Sequence, residues 1–271
     1  MPFTLDRVPR ELVFRPVTLT ARERLAPHYL RLRLEGEALR GFDSLGSDDH
    51  IRLFFPGERP ADGTGDGTSD AAVDLAALRE SPSREYTPLA WDAEAGVLDV
   101  EFVVHGEHGI AGRWADRAPI GSVIGVGGPR GSMVITGEPD GWLLAGDETA
   151  LPAIRRFLAR LSREGDATPR GIVLVEVPDA AHRPAFEAPA GTELRWVPRD
   201  GRLQGEALVA ALDALGVEDR PAGEVFAFVA AEHAVVKPGR ALVLDRWGLS
   251  PEQVVVKGYW RRDEAEYHAP H

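Results

Sequence analysis

Residues 29–36 read Tyr-Leu-Arg-Leu-Arg-Leu-Glu-Gly, with leucines at every second position and charges between them. A pleated strand sends successive side chains to opposite faces, so this stretch predicts a strand with one dry side and one wet side. Residues 12–20, 50–57 and 97–105 carry the same alternation or compact apolar runs, and residues 122–131 hold a further strand among glycines. Short strands divided by turn residues predict a barrel or sandwich. Beyond about residue 138 the pattern changes. Strand-like runs at 141–146, 171–177, 193–197, 224–230 and 253–260 now alternate with helical segments at 149–161 and 205–215. Leu151, Ile154, Leu158 and Leu161 share one face of the first helix, and Leu208, Leu212 and Leu215 align on the second. Strands alternating with helices predict a parallel sheet. Another helix is expected from near Pro238 to about Trp247, because Pro238 and Gly239 would be costly deeper inside one.

The expected fold is thus an N-terminal antiparallel β-barrel over residues 1–138, followed by a parallel-sheet α/β domain over residues 139–271. Ligands of such α/β sheets favour the carboxyl ends of the strands, and interdomain crevices are also common sites. Residues 57–83 interrupt the barrel pattern. They are rich in Gly, Asp and Pro and lack an apolar face, which predicts a mobile insertion or long hairpin loop, with a short helix around 71–79.

Composition narrows the chemistry. The 271 residues suffice for two domains, and 44% hydrophobic content fits globular cores. A net charge of −12, from 31 Lys and Arg against 43 Asp and Glu, argues against non-specific nucleic-acid binding, which needs a basic surface. There is no cysteine, which excludes disulfides, thiolate catalysis and Cys-ligated zinc or iron–sulfur clusters. His105 and His108 lie close together, and His268 and His271 sit in the tail, but the eight histidines form no convincing metal set, so no intrinsic metal site is expected. No apolar run approaches the ~20 residues that span a bilayer. The first residues lack a signal-peptide pattern, and a cytoplasmic protein is expected. Redox chemistry would require a cofactor.

Two stretches can hold one. Arg84-Glu85-Tyr86-Thr87 puts a guanidinium suited to phosphate two residues from a flat phenol ring on one strand face, followed by a hydroxyl that both donates and accepts. The plain alternative is a surface Arg, a packed Tyr and a strand-end Thr before Pro88. In residues 105–131 a strand ends at His105, a glycine-rich turn follows, and Ile110 opens a short helix whose N–H groups can hold a pyrophosphate. Here the alternative is a barrel crossover helix with Trp114 in the core.

Taken together, Arg84-x-Tyr86-Thr87, His105-x-x-x-Gly109-x-Ala111-x-x-Trp114, Leu-Leu-Ala-Gly-Asp-Glu-Thr-Ala-Leu-Pro-Ala-Ile at 143–154 and Lys-Gly-Tyr-Trp-Arg at 257–261 resemble the siderophore-interacting protein family. These are FAD-binding relatives of ferredoxin–NADP reductases, and the likeness covers nearly the whole chain. It implies an FAD-binding barrel, an NADH- or NADPH-binding-like second domain and an FAD in the crevice between them. Arg84 would meet the phosphates, Tyr86 the isoalloxazine or ribityl region and Thr87 the flavin N5. The turn and helix of His105, Gly109, Ile110, Ala111 and Trp114 would hold the pyrophosphate side, and Thr149 and Ala150 would approach from the second domain. The resemblance favours Lys257 as a contact for an anionic ferric siderophore; Arg261, Arg240 and Arg262 are further candidate cations of that pocket whose plain alternative is solvated surface charge, Trp260 either borders the flavin or anchors the C-terminal tail, and His233 is placed to face the crevice.

The implied activity is reduction of ferric siderophores. Hard oxygen ligands hold Fe(III) far better than Fe(II), so reduction releases the metal. The donor is expected to be NADH or NADPH, or possibly reduced ferredoxin, and Glu176 at a strand end would favour NADH by repelling a 2′-phosphate. Two features depart from the pattern. Asp147 and Glu148 place carboxylates where glycine-rich nucleotide loops run in related reductases, and Ala231-Glu232-His233-Ala234 replaces a Gly-Glu-Ala segment. Two rival functions stand beside this one: a related flavoprotein reductase with another acceptor, and a non-catalytic FAD- or siderophore-binding protein.

Overall fold

The computed structural model describes residues 3–56, 74–104, 109–161, 171–264 and 267. Its first half holds strands β1 (Thr4–Pro9), β2 (Phe14–Ala26), β3 (Tyr29–Glu35), β4 (Ile51–Phe54), β5 (Ser83–Tyr86), β6 (Pro88–Asp92), β7 (Val97–Val103), β8 (Val123–Gly127) and β9 (Gly131–Thr136). Helices α1 (Leu75–Arg79) and α2 (Ile110–Arg117) interrupt them. Seven strands pair antiparallel in the order β5-β4-β8-β2-β3-β7-β6. The strands at the two edges, β5 and β6, are consecutive in the chain with Thr87 alone between them. A flat sheet of seven strands would hold its edges roughly 28 Å apart. Two Cα steps span at most about 7 Å. The sheet therefore curls until its edges meet, and Thr87 marks the seam.

The alternation in β3 is realised fully: Leu30, Leu32 and Leu34 have no exposed surface and join Val17, Leu19, Leu53, Leu98, Val100, Phe102, Ile124 and Val126 inside the barrel. The run at 122–131 breaks at a cis Gly128–Pro129 bond into β8 and β9. Strand β9 leaves the barrel sheet and pairs with β1, whose mostly exposed positions give no strong strand pattern. Part of the expected 57–83 loop is regular. Asp74 caps α1 by accepting from Ala76 N and Ala77 N, and β5 starts at Ser83.

The second half holds β10 (Gly141–Asp147), α3 (Leu151–Leu161), β11 (Gly171–Val177), β12 (Thr192–Pro198), α4 (Glu206–Asp213), β13 (Val225–Glu232), α5 (Val236–Arg240) and β14 (Val254–Trp260). The five strands are parallel, in the order β12-β11-β10-β13-β14, so the order reverses between β10 and β13. Strands β10, β11 and β13 are buried at every position, which explains why they read as continuous apolar runs. The helix expected from Pro238 begins earlier: a 3₁₀ turn over His233–Val235 leads into α5 and then a π-helical stretch over Ala241–Arg246. Pro238 falls in the first turn of α5, where its missing N–H would be unbonded anyway. Gly239 permits close packing, since a Cβ there would lie 3.1 Å from Val229 Cγ1 and 3.2 Å from Val256 Cγ1.

The domains share a core. Tyr29 and Ile135 of the first half pack with Leu151, Ile154, Phe157 and Leu158 of α3 and with Phe226 and Phe228 of β13. The polar face of α3 docks as well. Arg156 donates to Ser44 Oγ (3.0 Å), Ser44 O (2.7 Å) and Pro88 O (3.2 Å), and its guanidinium lies 5.0 Å from the Trp91 ring centre. Arg160 reaches Gly137 O at 2.8 Å. Among the described residues no helix is long and apolar enough to cross a membrane.

Gly146 sets how closely β10 approaches the start of α3, because an added Cβ would lie 2.4 Å from Ala150 Cβ and 2.6 Å from Ala230 O. Neither neighbour is a flexible side-chain end. Gly146→Ala is expected to lower the unfolding free energy by about 1–3 kcal/mol, measured by chemical denaturation.

Candidate functional site at the barrel seam

Three elements converge where the barrel edges meet: the β5–β6 seam, the loop of residues 44–49 and the carboxyl end of β14. Thr87 is buried, 7% exposed. The Tyr259 phenol donates to Asp48 Oδ1, and Lys257 Nζ lies 2.5 Å from Asp48 Oδ2. Period two puts Lys257 and Tyr259 on one side of β14, and both reach the same carboxylate. Burial, then the Asp48 charge and the hydrogen bond to Asp48, hold the Tyr259 phenol well above its ordinary pKa.

A register shift opposite Ala231 and Glu232 bends β14 just beyond. The bulge re-aims Trp260, whose indole donates to Asp147 Oδ2 at 2.8 Å. Asp147 also accepts from Thr149 N (2.9 Å), the Thr149 hydroxyl (2.5 Å) and Glu232 N (3.2 Å). The carboxyl ends of β10 and β13 are thus filled by this chain's own acids. Burial and the neighbouring Glu148 charge push Asp147 up to about 7, against its hydrogen bonds from Thr149 and Trp260. Glu148 goes the other way: burial raises it, but the His28 contact (2.9 Å) and Arg199 (3.1 Å) prevail, and it lies below its usual range.

The residues expected at the site divide into groups. Arg84 is half-buried on β5 and donates to Ser83 O at 2.7 Å. Tyr86 packs against Phe102, ring centres 4.3 Å apart, and at its edge against Phe55, 6.5 Å away. Trp114 meets the other side of Phe55 at 5.6 Å. The plain readings of Tyr86 and Trp114 as packed aromatics therefore hold, and Phe55 joins the two stretches that the sequence singled out. Gly109 is the N-cap of α2, Ile110 is 45% exposed and Ala111 is buried. His105 and His108 lie outside the described residues, as do His268 and His271.

The remaining expected residues lie in the second half. Ala150 is fully buried against the β10 core and has no surface for a ligand. The Thr149 hydroxyl is turned onto Asp147. The Glu176 carboxylate accepts from Gly205 N and Leu208 N, both at 2.8 Å, and contacts Arg199 at 3.3 Å, so it anchors the start of α4 and cannot select a nucleotide. Arg261 pairs with Glu264 at 3.4 Å, and Arg240 is exposed on α5. Arg262 is half-buried, its N–H donating to Glu232 and its guanidinium to Gln204 O. His233 Nδ1 contacts the Tyr267 hydroxyl at 2.7 Å. Asp48, Tyr259 and Arg156 were missed. Tyr259 was within reach, two residues from Lys257 on a strand, whereas Asp48 joins it only through a contact 211 positions apart.

The residues present fit a flavin dinucleotide. Among the described residues no side chain caps the start of α2 and none would lie within 4 Å of a Cβ built on Gly109, so the backbone N–H groups there are available to a phosphate. The same half of the chain carries the Arg84 guanidinium and the Thr87 hydroxyl on the seam.

Comparison with known proteins bears on both halves. Residues 18–133 match the family described as "Siderophore-interacting FAD-binding domain", and residues 139–263 match "Siderophore-interacting protein". The chain belongs to the siderophore-interacting protein family. It is 33% identical to the "NADPH-dependent ferric-chelate reductase" of Escherichia coli, over 94% of this chain and 96% of the relative. It is 29% identical to the "Ferric vibriobactin reductase ViuB" of Vibrio cholerae, over 90% and 89%. A siderophore utilization protein from T. fusca superposes with a TM-score of 0.79 at 34% identity, over 98% of each chain. The protein is a flavin-dependent oxidoreductase of this family, with the barrel as its FAD-binding domain.

The unusual Asp147 makes native stability depend on pH. Its native carboxyl keeps a proton up to about 7, whereas the unfolded one ionises near 3.8. Between these values the native state binds more protons, so this group's contribution to stability falls as pH rises. Denaturant titrations of wild type and Asp147→Asn from pH 4 to 8 are expected to show a wild-type minus variant stability difference that declines toward about pH 7 and flattens above it.

Proposed function

We propose that the protein reduces ferric siderophores in the cytoplasm and releases Fe(II) from the chelate, using FAD and a pyridine nucleotide. One contact carries the reading. The Tyr259–Asp48 hydrogen bond joins the part that matches an FAD-binding domain to the part that matches siderophore-interacting proteins, and Arg156 ties the same loop, at Ser44, to Pro88 beside Thr87. A cofactor ring at the seam would then lie beside the carboxyl end of β14, where a chelate could approach it.

When bound, FAD supplies an acceptor for a two-electron hydride and returns the electrons one at a time. Arg84 and the open N-terminus of α2, with Gly109, Ile110 and Ala111, hold its phosphates. Tyr86 stiffens β5 through Phe102 and Phe55 and lines the ring's approach, and Trp114 supports α2 from behind. Thr87 meets the ring nitrogen N5. Thr149 acts indirectly, by fixing Asp147 and through it Trp260. Lys257 and Trp260 border the acceptor's side, with Arg261 and Arg240 as outer charges that steer an anionic chelate. Because Asp48 offsets the Lys257 charge, Lys257 serves more as a hydrogen-bond donor to chelate oxygens than as an unpaired cation.

The donor is NADPH in the favoured reading, since the E. coli relative is named for it, with NADH or reduced ferredoxin as the alternatives. The acids at the ends of β10 and β13 leave little place for a dinucleotide phosphate, which favours a brief encounter over tight binding.

Anaerobic assays with NADPH, a panel of ferric chelates and a ferrous trap are expected to give two trapped Fe(II) per NADPH, with rates that differ between siderophores. Equal rates with every chelate and with free flavin would favour a general flavoprotein reductase. Absence of flavin bleaching by NADPH, NADH and reduced ferredoxin would leave a binding protein. Arg84→Ala is expected to weaken FAD binding by about tenfold or more, read by fluorescence titration, through loss of a charge-assisted phosphate contact.

A further inference from the structure

The cations at the carboxyl end of β14 are matched by acids. Lys257 Nζ lies 2.5 Å from Asp48 Oδ2 and 5.3 Å from the Tyr259 ring centre, and Arg261 pairs with Glu264 at 3.4 Å. The Lys257 side chain is 30% exposed and that of Asp48 9%, so the acid is the more deeply set partner. Its loop is pinned from several sides. The neighbouring Asp49 is buried, and one of its oxygens accepts from Ser44 Oγ (2.8 Å), Gly46 N (3.1 Å) and Ser132 Oγ (2.6 Å). Arg156 of α3 donates to Ser44 Oγ and Ser44 O. Gly46 lies against β9, where an added Cβ would come within 2.6 Å of Met133 O. Tyr259 holds the second Asp48 oxygen. An exposed ion pair between two mobile side chains is weak and yields readily to a competing anion. Here the acid is fixed by its loop, so both charges stay in the site when a ligand arrives.

We propose that Asp48 is a specificity-determining residue of the acceptor site, selecting ferric chelates of little or no net charge over trianionic ones. This rests on the acceptor side placed at Lys257 above. Charge arithmetic separates two classes of chelate. Three monoanionic hydroxamates cancel the charge of Fe(III), whereas three dianionic catecholates leave the complex trianionic. Both offer oxygen acceptors to the Lys257 ammonium. The trianion also meets repulsion from Asp48, and like charges brought together at a desolvated contact are strongly disfavoured. Lys257 by itself would favour the trianion; paired with Asp48 it is a hydrogen-bond donor in a site of nearly balanced charge. Arg240 and Arg261 act at longer range, on encounter, and Asp48 acts on the docked chelate. A residue of the barrel thereby sets the preference of a pocket whose donor comes from β14.

The test is calorimetric binding of redox-inert gallium(III) chelates to the FAD-loaded protein. Gallium trishydroxamate and gallium triscatecholate carry the charges of their ferric counterparts without drawing electrons. Asp48→Asn keeps the side-chain shape and removes the charge. It is expected to tighten the triscatecholate by about tenfold or more relative to the trishydroxamate, and Asp48→Glu is expected to keep the wild-type ratio. An unchanged ratio in Asp48→Asn overturns the inference, and in that case the siderophore reading stands. Wild type gives a second measurement that needs no variant. Between about 25 and about 300 mM NaCl its affinity for the triscatecholate is expected to weaken by less than about threefold, because the nearest cation is already compensated. A loss of about tenfold or more over that range means that an uncompensated cation governs binding, which also overturns the inference. If neither gallium chelate binds wild type or Asp48→Asn while NADPH still bleaches the flavin, no chelate docks here, and the siderophore reading falls with this one.

Discussion

Closure of the barrel is the constraint on which the rest depends. Its two edge strands follow one another in the chain with Thr87 alone between them. The sheet has to curl for the chain to connect, and curling turns a polar strand end into a buried seam. The second half of the chain then covers that seam: Arg156 of α3 donates to Pro88 O, and Tyr259 of β14 donates to Asp48 in the loop beside it. Fold and site are therefore one problem, because the line where the barrel shuts is also the line where the domains dock.

Charge is handled locally in a chain with a net charge of −12. The acids near the crevice are each given specific partners. Asp48 has Lys257 and Tyr259; Glu148 has His28 and Arg199; Glu176 has Arg199 and two backbone amides. Asp147 receives four hydrogen bonds and, among the described residues, no cation, and its proton is held to about neutral pH. A buried charge needs a partner or a proton, and both solutions are used within one crevice. The result is a switch point of the parallel sheet occupied by protein carboxylates, where related folds offer amides to phosphate.

Much of this was legible in the residues. Alternation in Tyr29–Glu35 and unbroken apolar runs in β10, β11 and β13 follow from which faces must be dry, a local property that survives folding. The quoted motifs likewise carried the family, since each is a short stretch of backbone and side chains. Local patterns said less about β1, whose exposed positions lack a period, and about the helix at Val236–Arg240, where Pro238 proved harmless because it sits in a first turn.

Which partner each polar group takes was decided by tertiary structure. Ala150 follows the family motif, yet the close approach of β10 and α3 seals it. Glu176 reads as a nucleotide selector at a strand end until the start of α4 takes both its oxygens. Lys257 reads as a free cation until the loop of residues 44–49 brings Asp48 beneath it. Sequence by itself determined most of the elements, the two sheets and the family, because periodicity and short motifs are written in neighbouring residues. The fold alone decided where the Tyr259 phenol and the Lys257 ammonium are held, since that depends on a carboxylate 211 positions from the phenol, a separation across which no local pattern carries information.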